Sequence, residues 1–324
     1  MMPGEPPPDS FGLEKAEIEA KTGSVSKPSQ RYWLHALLFL LTGFSTTLVG
    51  TRLAQNFEAN RPAFELESDF VALGRILTHP RLLADGLPFA ITLLTILLAH
   101  ELGHYWACRY YGVQVSLPYF LPAPTVIGTL GAFIRIRSPI YSRVTLFDVG
   151  VAGPLAGFLF VIPALGMGLA WSKVIPGIAN QGDILMGTPL IVRLWGEIVF
   201  PGAPVSDIYL HPVARAAWVG VIATALNLLP IGQSDGGHIV YAFVGGAHRW
   251  ISRFIILALI PLGLLYWYGW IVWAALFLLL GMRHPPTIYD DTRLGAGRSV
   301  LGLLALLILA LSFAPTPIRT GSAL

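Results

Sequence analysis

The segment that most constrains this chain is His100-Glu101-Leu102-Gly103-His104, because it continues directly from the apolar run Leu93-Leu94-Thr95-Ile96-Leu97-Leu98-Ala99. A charge at membrane depth is costly unless it is paired or metal-bound, so three ionisable groups within five positions need a shared purpose. On a helix His100 and His104 project from nearly one face, about 6 Å apart along the axis, a spacing that suits two ligands of one zinc ion. Glu101 then points roughly 100° further round, next to the metal but outside the pair. There it can serve as general base for a water at the metal. The same five-residue pattern also arises by chance in soluble helices; the apolar setting is what favours chemistry here.

That setting extends to the whole chain. Hydrophobic residues make up 54% of the 324 positions and charged ones 12%, and the mean hydropathy is +0.65. An average soluble domain carries roughly 25% charged residues, so too little polar surface is left here for a water-soluble protein and most of the chain faces lipid. The net charge of +3 comes from scattered residues rather than a basic stripe, which argues against a nucleic-acid partner and suits a role in setting topology. The single cysteine, Cys108, excludes an internal disulfide and a Cys-rich zinc module, and reads as a small core residue.

Pro6-Pro7-Pro8 and the mixed charges Glu14, Lys15, Glu17, Glu19 and Lys21 predict a disordered tail over residues 1–31. A first span at Trp33–Val49 and its loop fill out residues 32–84, a catalytic membrane core occupies 85–245, and C-terminal helices occupy 246–324. Gly86–Tyr110, Val144–Trp171 and Val213–Leu229 each reach the roughly 17 residues that a crossing needs. Phe254–Met282 is too long for one untilted span and carries Pro261, Gly263 and the cluster Tyr266-Trp267-Tyr268-Gly269-Trp270, which predicts a hairpin turning at Gly269 with the aromatics as an interfacial belt. Val300–Phe313 is a last, shortish span. The expected fold class is thus an all-α polytopic membrane protein of about six to seven transmembrane helices, with a small membrane-associated β-hairpin. Lys15, Lys21, Lys27 and Arg31 before the first span, with Arg135, Arg137, Arg143, His248, Arg249 and Arg253 in later loops, predict a cytoplasmic amino terminus, and a bacterial inner membrane is the expected location.

Two histidines leave a catalytic zinc site one protein ligand short. The candidate is Asp235, in Asn227-Leu228-Leu229-Pro230-Ile231-Gly232-Gln233-Ser234-Asp235-Gly236-Gly237-His238, where broken backbone at membrane depth must be buried or line a watery cavity. The alternative is an Asp-Gly-Gly turn at the membrane surface, which leaves the third ligand without a source. His238, about one turn beyond Asp235, is a candidate to orient that carboxylate. His35, His79, His211, His248 and His284 fall near span ends or in Pro-containing loops and need no catalytic explanation.

With these two segments the chain resembles the site-2 protease family of intramembrane zinc metallopeptidases, which pairs His-Glu-x-x-His with a later Asn-x-x-Pro-x-x-x-x-Asp-Gly. Gly128-Thr129-Leu130-Gly131-Ala132-Phe133, Ala152-Gly153-Pro154-Leu155-Ala156-Gly157 and Arg283-His284-Pro285-Pro286 are similar to segments of its branch found in photosynthetic organisms and many bacteria. The resemblance covers about residues 85 to 290. It implies one Zn2+ per chain held by His100, His104 and Asp235, Glu101 as catalytic acid/base, and Asn227 as a helper near the reacting carbonyl. Ser234 departs from the apolar residue that relatives carry before the aspartate, which bears on how Asp235 is packed. Lys173 to Pro212 is too short for the PDZ domain that many members insert; Ile184 to Phe200, with Arg193 and Glu197 at i,i+4 spacing, reads as an interfacial helix.

The expected activity is zinc-assisted peptide hydrolysis within the lipid bilayer. Single-span membrane proteins, trimmed beforehand by another protease, are the expected substrates. A metal-binding transporter or an inactive protease-like scaffold is the alternative, against which the intact Glu101 argues. A prenyl-protein zinc protease would take a downstream Glu rather than Asp235. Leu117–Leu121 and Leu130–Arg137 look extended around Pro122-Ala123-Pro124, so the hairpin is expected to offer an edge to which unwound substrate adds as a strand.

Overall fold

The structure, a computed structural model, describes residues 30–280, Thr287 and residues 294–321. Most of the expected disordered tail, and Arg283-His284-Pro285-Pro286, lie outside the described residues. Leu34–Leu324 group into one unit and Met1–Trp33 into another, and the residues of interest all belong to the first.

The first helix, α1 (Tyr32–Glu58), runs well past the expected Val49. Thr42, Thr46, Thr47 and Thr51 are buried along it, their hydroxyls satisfied by carbonyls three or four residues back. The following loop holds a helix that the sequence did not suggest, α2 (Leu66–Thr78), and a 3-10 turn over Pro80–Gly86. That turn leads into α3 (Leu87–Tyr110), which carries the His-Glu-x-x-His segment and has Pro in its first turn, where no intrahelical N–H is lost.

Between α3 and the next long helix, β1 (Tyr119–Pro122) pairs antiparallel with β2 (Thr129–Phe133), Phe120 opposite Ala132, as the extended runs predicted. The helix α4 (Arg143–Ala170) is capped by Ser142, whose hydroxyl accepts from the Thr145 N–H at 3.1 Å. Two short strands follow, β3 (Lys173–Val174) and β4 (Ile184–Met186), then α5 (Leu190–Val199) and β5 (Ile208–Tyr209). The helical reading of Ile184 to Phe200 therefore holds only from Leu190. Glu197 accepts from the Gly202 N–H at 3.2 Å.

The central helix is α6 (Pro212–Leu228), buried on nearly every side, as suits a helix that is apolar all round. His211 caps it through Nδ1, 3.2 Å from the Val213 N–H; burial lowers the His211 pKa, which keeps that nitrogen an acceptor. The remaining helices are α7 (Asp235–Val244), α8 (His248–Leu265), α9 (Gly269–Leu280) and α10 (Ala296–Ser312), followed by β6 (Ile318–Thr320). The break between α8 and α9 falls at Tyr266–Tyr268, just before the expected Gly269. Trp270 is not part of a belt: it is 2% exposed and donates from Nε1 to the Pro315 carbonyl at 2.7 Å. Tyr266 and Tyr268 remain exposed.

The fold is mostly helical. Among the described residues four helical stretches are long and apolar enough to cross a membrane: Tyr32–Glu58, Pro80–Tyr110, Arg143–Ala170 and Asp235–Leu265. The helices α6, α9 and α10 are apolar but shorter. Among the described residues the sheets are three antiparallel pairs, β1 with β2, β3 with β5 and β4 with β6, so two pairs exist beyond the expected hairpin. The principal core packs α3 against α4 and α6 through Leu93, Phe147, Val161, Leu165, Ala216 and Val221.

Candidate metal centre

Two helices bring the histidines and the aspartate together. His100 and His104 lie on the buried face of α3, and Asp235 is the first residue of α7. His100 Nε2 stands 3.1 Å from Asp235 Oδ2 and 3.1 Å from His104 Nε2, and His104 Nε2 stands 3.3 Å from Asp235 Oδ1. Among the described residues these three form a group in which one donor atom from each could reach a single ion.

The arrangement suits a cation held among the three donor atoms. His104 Nδ1 lies 2.7 Å from the Val149 carbonyl, so Nδ1 carries the proton and Nε2 presents a lone pair. That lone pair faces a carboxylate oxygen and a second imidazole nitrogen, an assembly of acceptors that repels itself unless a positive charge sits among them. Tetrahedral zinc with ligand bonds of about 2.0–2.1 Å sets its ligands about 3.3 Å apart, close to the separations here. The donor set therefore fits zinc. The carbonyl of Val149 also fixes the ring of His104 in the way that outer partners of metal-bound histidines do.

Close backbone approach makes room for the rings. A methyl group at Gly153 would sit 2.1 Å from His104 Nε2, and one at Gly103 would sit 2.4 Å from the Ala152 carbonyl oxygen. The Ala152-Gly153-Pro154-Leu155-Ala156-Gly157 segment thus lets α3 and α4 touch at the depth of the histidines, as small residues do between membrane helices.

Ser234 resolves the departure noted in the sequence. Its hydroxyl accepts from the Gly237 N–H at 3.0 Å and donates to the Leu229 carbonyl at 2.5 Å. The serine thus caps α7 and ties the loop after α6 to the residue before Asp235.

Glu101 is 6% exposed, and the backbone of Ile134, one residue beyond β2, stands against its carboxylate. Asn227, on the last turn of α6, places Nδ2 3.2 Å from His100 Nε2. All five predicted residues line one cavity of about 470 Å³, with Ala132, Phe133, Ile134 and His238 among its other walls. Donors, a buried carboxylate, an amide and a strand thus surround one space that could hold a peptide bond.

Sequence reasoning did not find the Val149 carbonyl, which has no side-chain signal. Nor did it find the cluster behind it: Arg298 of α10 donates from Nε at 2.9 Å and from Nη2 at 2.7 Å to the Asp148 carboxylate, which also accepts from the Tyr111 hydroxyl. Lone charges inside otherwise apolar helices, Asp148 in α4 and Arg298 in α10, were the available signal. His35 and His248 are both buried in polar contacts away from the centre, with the Pro118 carbonyl and Ser252 respectively.

The chain matches Peptidase family M50 over residues 88–265. It is 31% identical to "Probable zinc metalloprotease EGY1, chloroplastic" of Arabidopsis thaliana, over 94% of this chain and 56% of the relative. It is 29% identical to the protein of the same name in Oryza sativa subsp. japonica, over 94% of this chain and 54% of the relative. It is 31% identical to "Probable zinc metalloprotease EGY2, chloroplastic" of Arabidopsis thaliana, over 80% and 47%. The chain thus spans about half the length of the curated relatives it matches. No solved structure matches it. These relatives, each chloroplastic by name, contradict the expected bacterial inner membrane. Apolar spans and their flanking arginines report that a membrane is crossed; they carry no information on which one. Two metal-spaced histidines in an apolar helix, a third donor delivered by α7 and the match across α3 to α8 lead to one assignment: the chain belongs to Peptidase family M50.

Proposed function

We propose that the chain is an intramembrane zinc metalloprotease that hydrolyses peptide bonds in or near transmembrane segments, working in a chloroplast membrane. The observation that carries this reading is the convergence of His100, His104 and Asp235 beside the buried Glu101, inside helices apolar enough to span a bilayer. In this reading the three are the zinc ligands, and residues 85–245 are the catalytic core.

A zinc ion held there supplies Lewis-acid polarisation of the scissile carbonyl and makes water acidic enough to lose a proton near neutral pH. Glu101 takes that proton and returns it to the leaving amine. Asn227 directs its amide donor at the same space, where negative charge develops on the carbonyl oxygen. Burial of Glu101 and both histidines keeps competing water low, which strengthens each of these electrostatic contacts.

Substrate enters as an extended segment along β2. Backbone N–H groups alternate in direction along a strand, so the Ala132 N–H shares the side of the Ile134 N–H, and the Ile134 backbone stands against Glu101. A peptide laid along that edge gains main-chain hydrogen bonds with little side-chain selectivity. Single-span membrane proteins, shortened beforehand by another protease, suit such a site, because a helical segment must be unwound before its carbonyl is reachable.

The test is a panel of single-span reporters reconstituted with the zinc-loaded protein in liposomes. Cleavage within the spans by the parent and none by Glu101→Gln is the expected result. Zinc flux without cleavage would replace the reading with that of a transporter.

A further inference from the structure

The segment between α4 and α6 covers a second cavity, of about 60 Å³, and Arg215 lines it. Arg215 stands on the first turn of α6, twelve residues before Asn227, so about 18 Å of helix separates it from the metal centre. The residue is 8% exposed. Its side-chain partners are neutral: Nε donates to the Leu210 carbonyl at 3.1 Å, Nη1 approaches the Met186 sulfur at 2.9 Å, and the guanidinium lies 5.3 Å from the Tyr209 ring centroid. Among the described residues no carboxylate makes an ion pair with it.

A guanidinium has five donors, and here a carbonyl and a weakly accepting sulfur engage two of them. A buried charge without a counter-charge is strongly unfavourable, and neutral acceptors offset only part of that. The rest of the wall adds Thr188 and Gln181, which can hydrogen-bond an anion, and the exposed Arg193. Among the described residues the one acidic group in the lining, Glu197, is exposed and already accepts from the Gly202 N–H. On the same volume measure a water needs about 10–15 Å³, so the cavity holds roughly four to six waters, or one small anion with some of them. A phosphate-bearing cofactor is too large.

We propose that this cavity is a binding site for a small monovalent anion of halide or carboxylate size, held by Arg215 and separate from the metal centre. The occupant is either a free ion or the terminal carboxylate of a peptide reaching in beneath α5.

The experiment follows thermal unfolding of the full, zinc-loaded chain in detergent at constant ionic strength, with gluconate, too large for the cavity, replaced stepwise by chloride, bromide or acetate. Expected is a midpoint that climbs with the logarithm of anion concentration, as a ligand bound only by the folded state requires. Arg215→Gln should remove that climb and Arg215→Lys should move it to at least tenfold higher concentration, both with zinc content unchanged. A short peptide with a free carboxyl end is compared with its amide. A rise with the acid alone identifies a peptide terminus as occupant, and a rise with chloride or acetate identifies a free ion. Identical midpoints in every anion and with both peptides overturn the proposal. So does an undiminished climb in Arg215→Lys or Arg215→Gln, the mark of an adventitious ion only. Should Arg215→Gln fail to fold, the parent protein and Arg215→Lys still decide the matter.

Discussion

The Nδ1 of His104 lies 2.7 Å from the carbonyl of Val149, and the residue before Val149 is the aspartate that Arg298 grips through two nitrogens. A proposed metal ligand on α3 is therefore held in its tautomer by α4, and α4 is held at that point by α10. Burial, and then the hydrogen bond to Asp148, raise the Tyr111 pKa, so the third member of the cluster stays a donor across the working pH range. Arg298→Gln should weaken zinc binding by about 10-fold or less, a smaller loss than direct partners of metal ligands give, and Arg298→Lys should restore part of it. The check is chelator competition, together with the visible spectrum of the cobalt-substituted protein. An unchanged affinity and spectrum would make the cluster a plain helix clamp.

Glu101→Gln removes the proposed base but none of the proposed metal donors. Cleavage of reporters should fall by at least about 10²–10⁴-fold, the usual contribution of general acid–base catalysis, with one zinc per chain retained. Parent-like cleavage in that variant would remove Glu101 from the mechanism.

Asp235→Ala leaves two histidines to hold the ion. Zinc affinity should drop by more than about 100-fold, beyond what loss of an outer partner causes, and activity should vanish with it. Metal analysis after dialysis against a graded chelator series measures this directly. Tight stoichiometric zinc would show that Asp235 is a turn residue.

Gly153→Ala places a methyl group where the His104 ring now sits. Either α4 shifts or the ring turns, so the variant should lose zinc and about 1–3 kcal/mol of stability, the usual range for overpacking. Gly112→Ala is the comparison, because a methyl group there meets nothing within 4 Å although its φ of +68° adds backbone strain. Zinc retention should differ between the two even where their unfolding midpoints are alike.

Ala132→Pro removes an N–H from the strand proposed to receive substrate, two residues before Ile134. Cleavage should fall several-fold with zinc intact. Cleavage at the parent rate, by a folded, zinc-bearing variant, would rule out strand addition.

Much of this was legible in the chain because membrane helices announce themselves by uninterrupted apolar length. Leu87–Tyr110 and Arg143–Ala170 fall within a residue of where hydropathy put them. The proposed ligands were conspicuous because charge is scarce there: His100, His104 and Asp235 stand out against their neighbours, and the structure gathers them with Glu101 and Asn227 around one cavity. What stayed hidden had no local pattern. The two-residue pairing of Lys173–Val174 with Ile208–Tyr209 is too short to alternate, and α2 lies in a stretch whose charges read as loop. Trp270 looked like a headgroup anchor because Tyr and Trp cluster around it; its partner, the Pro315 carbonyl, lies 45 residues away.

Residues 318–320 close against residues 184–186, and the Gly187 N–H reaches the Pro317 carbonyl at 2.8 Å while Trp218 Nε1 reaches the Gly187 carbonyl at 2.6 Å. During synthesis this seam joins the last described strand to a segment made more than 130 residues earlier, after the intervening helices have entered the bilayer. The chain thus has a built-in order of completion. Its histidines and aspartate can meet while the ribosome is still at work, but the covering over Arg215 must wait for residues 318–320. A nascent chain halted before Ile318 would carry His100, His104 and Asp235 and an open roof.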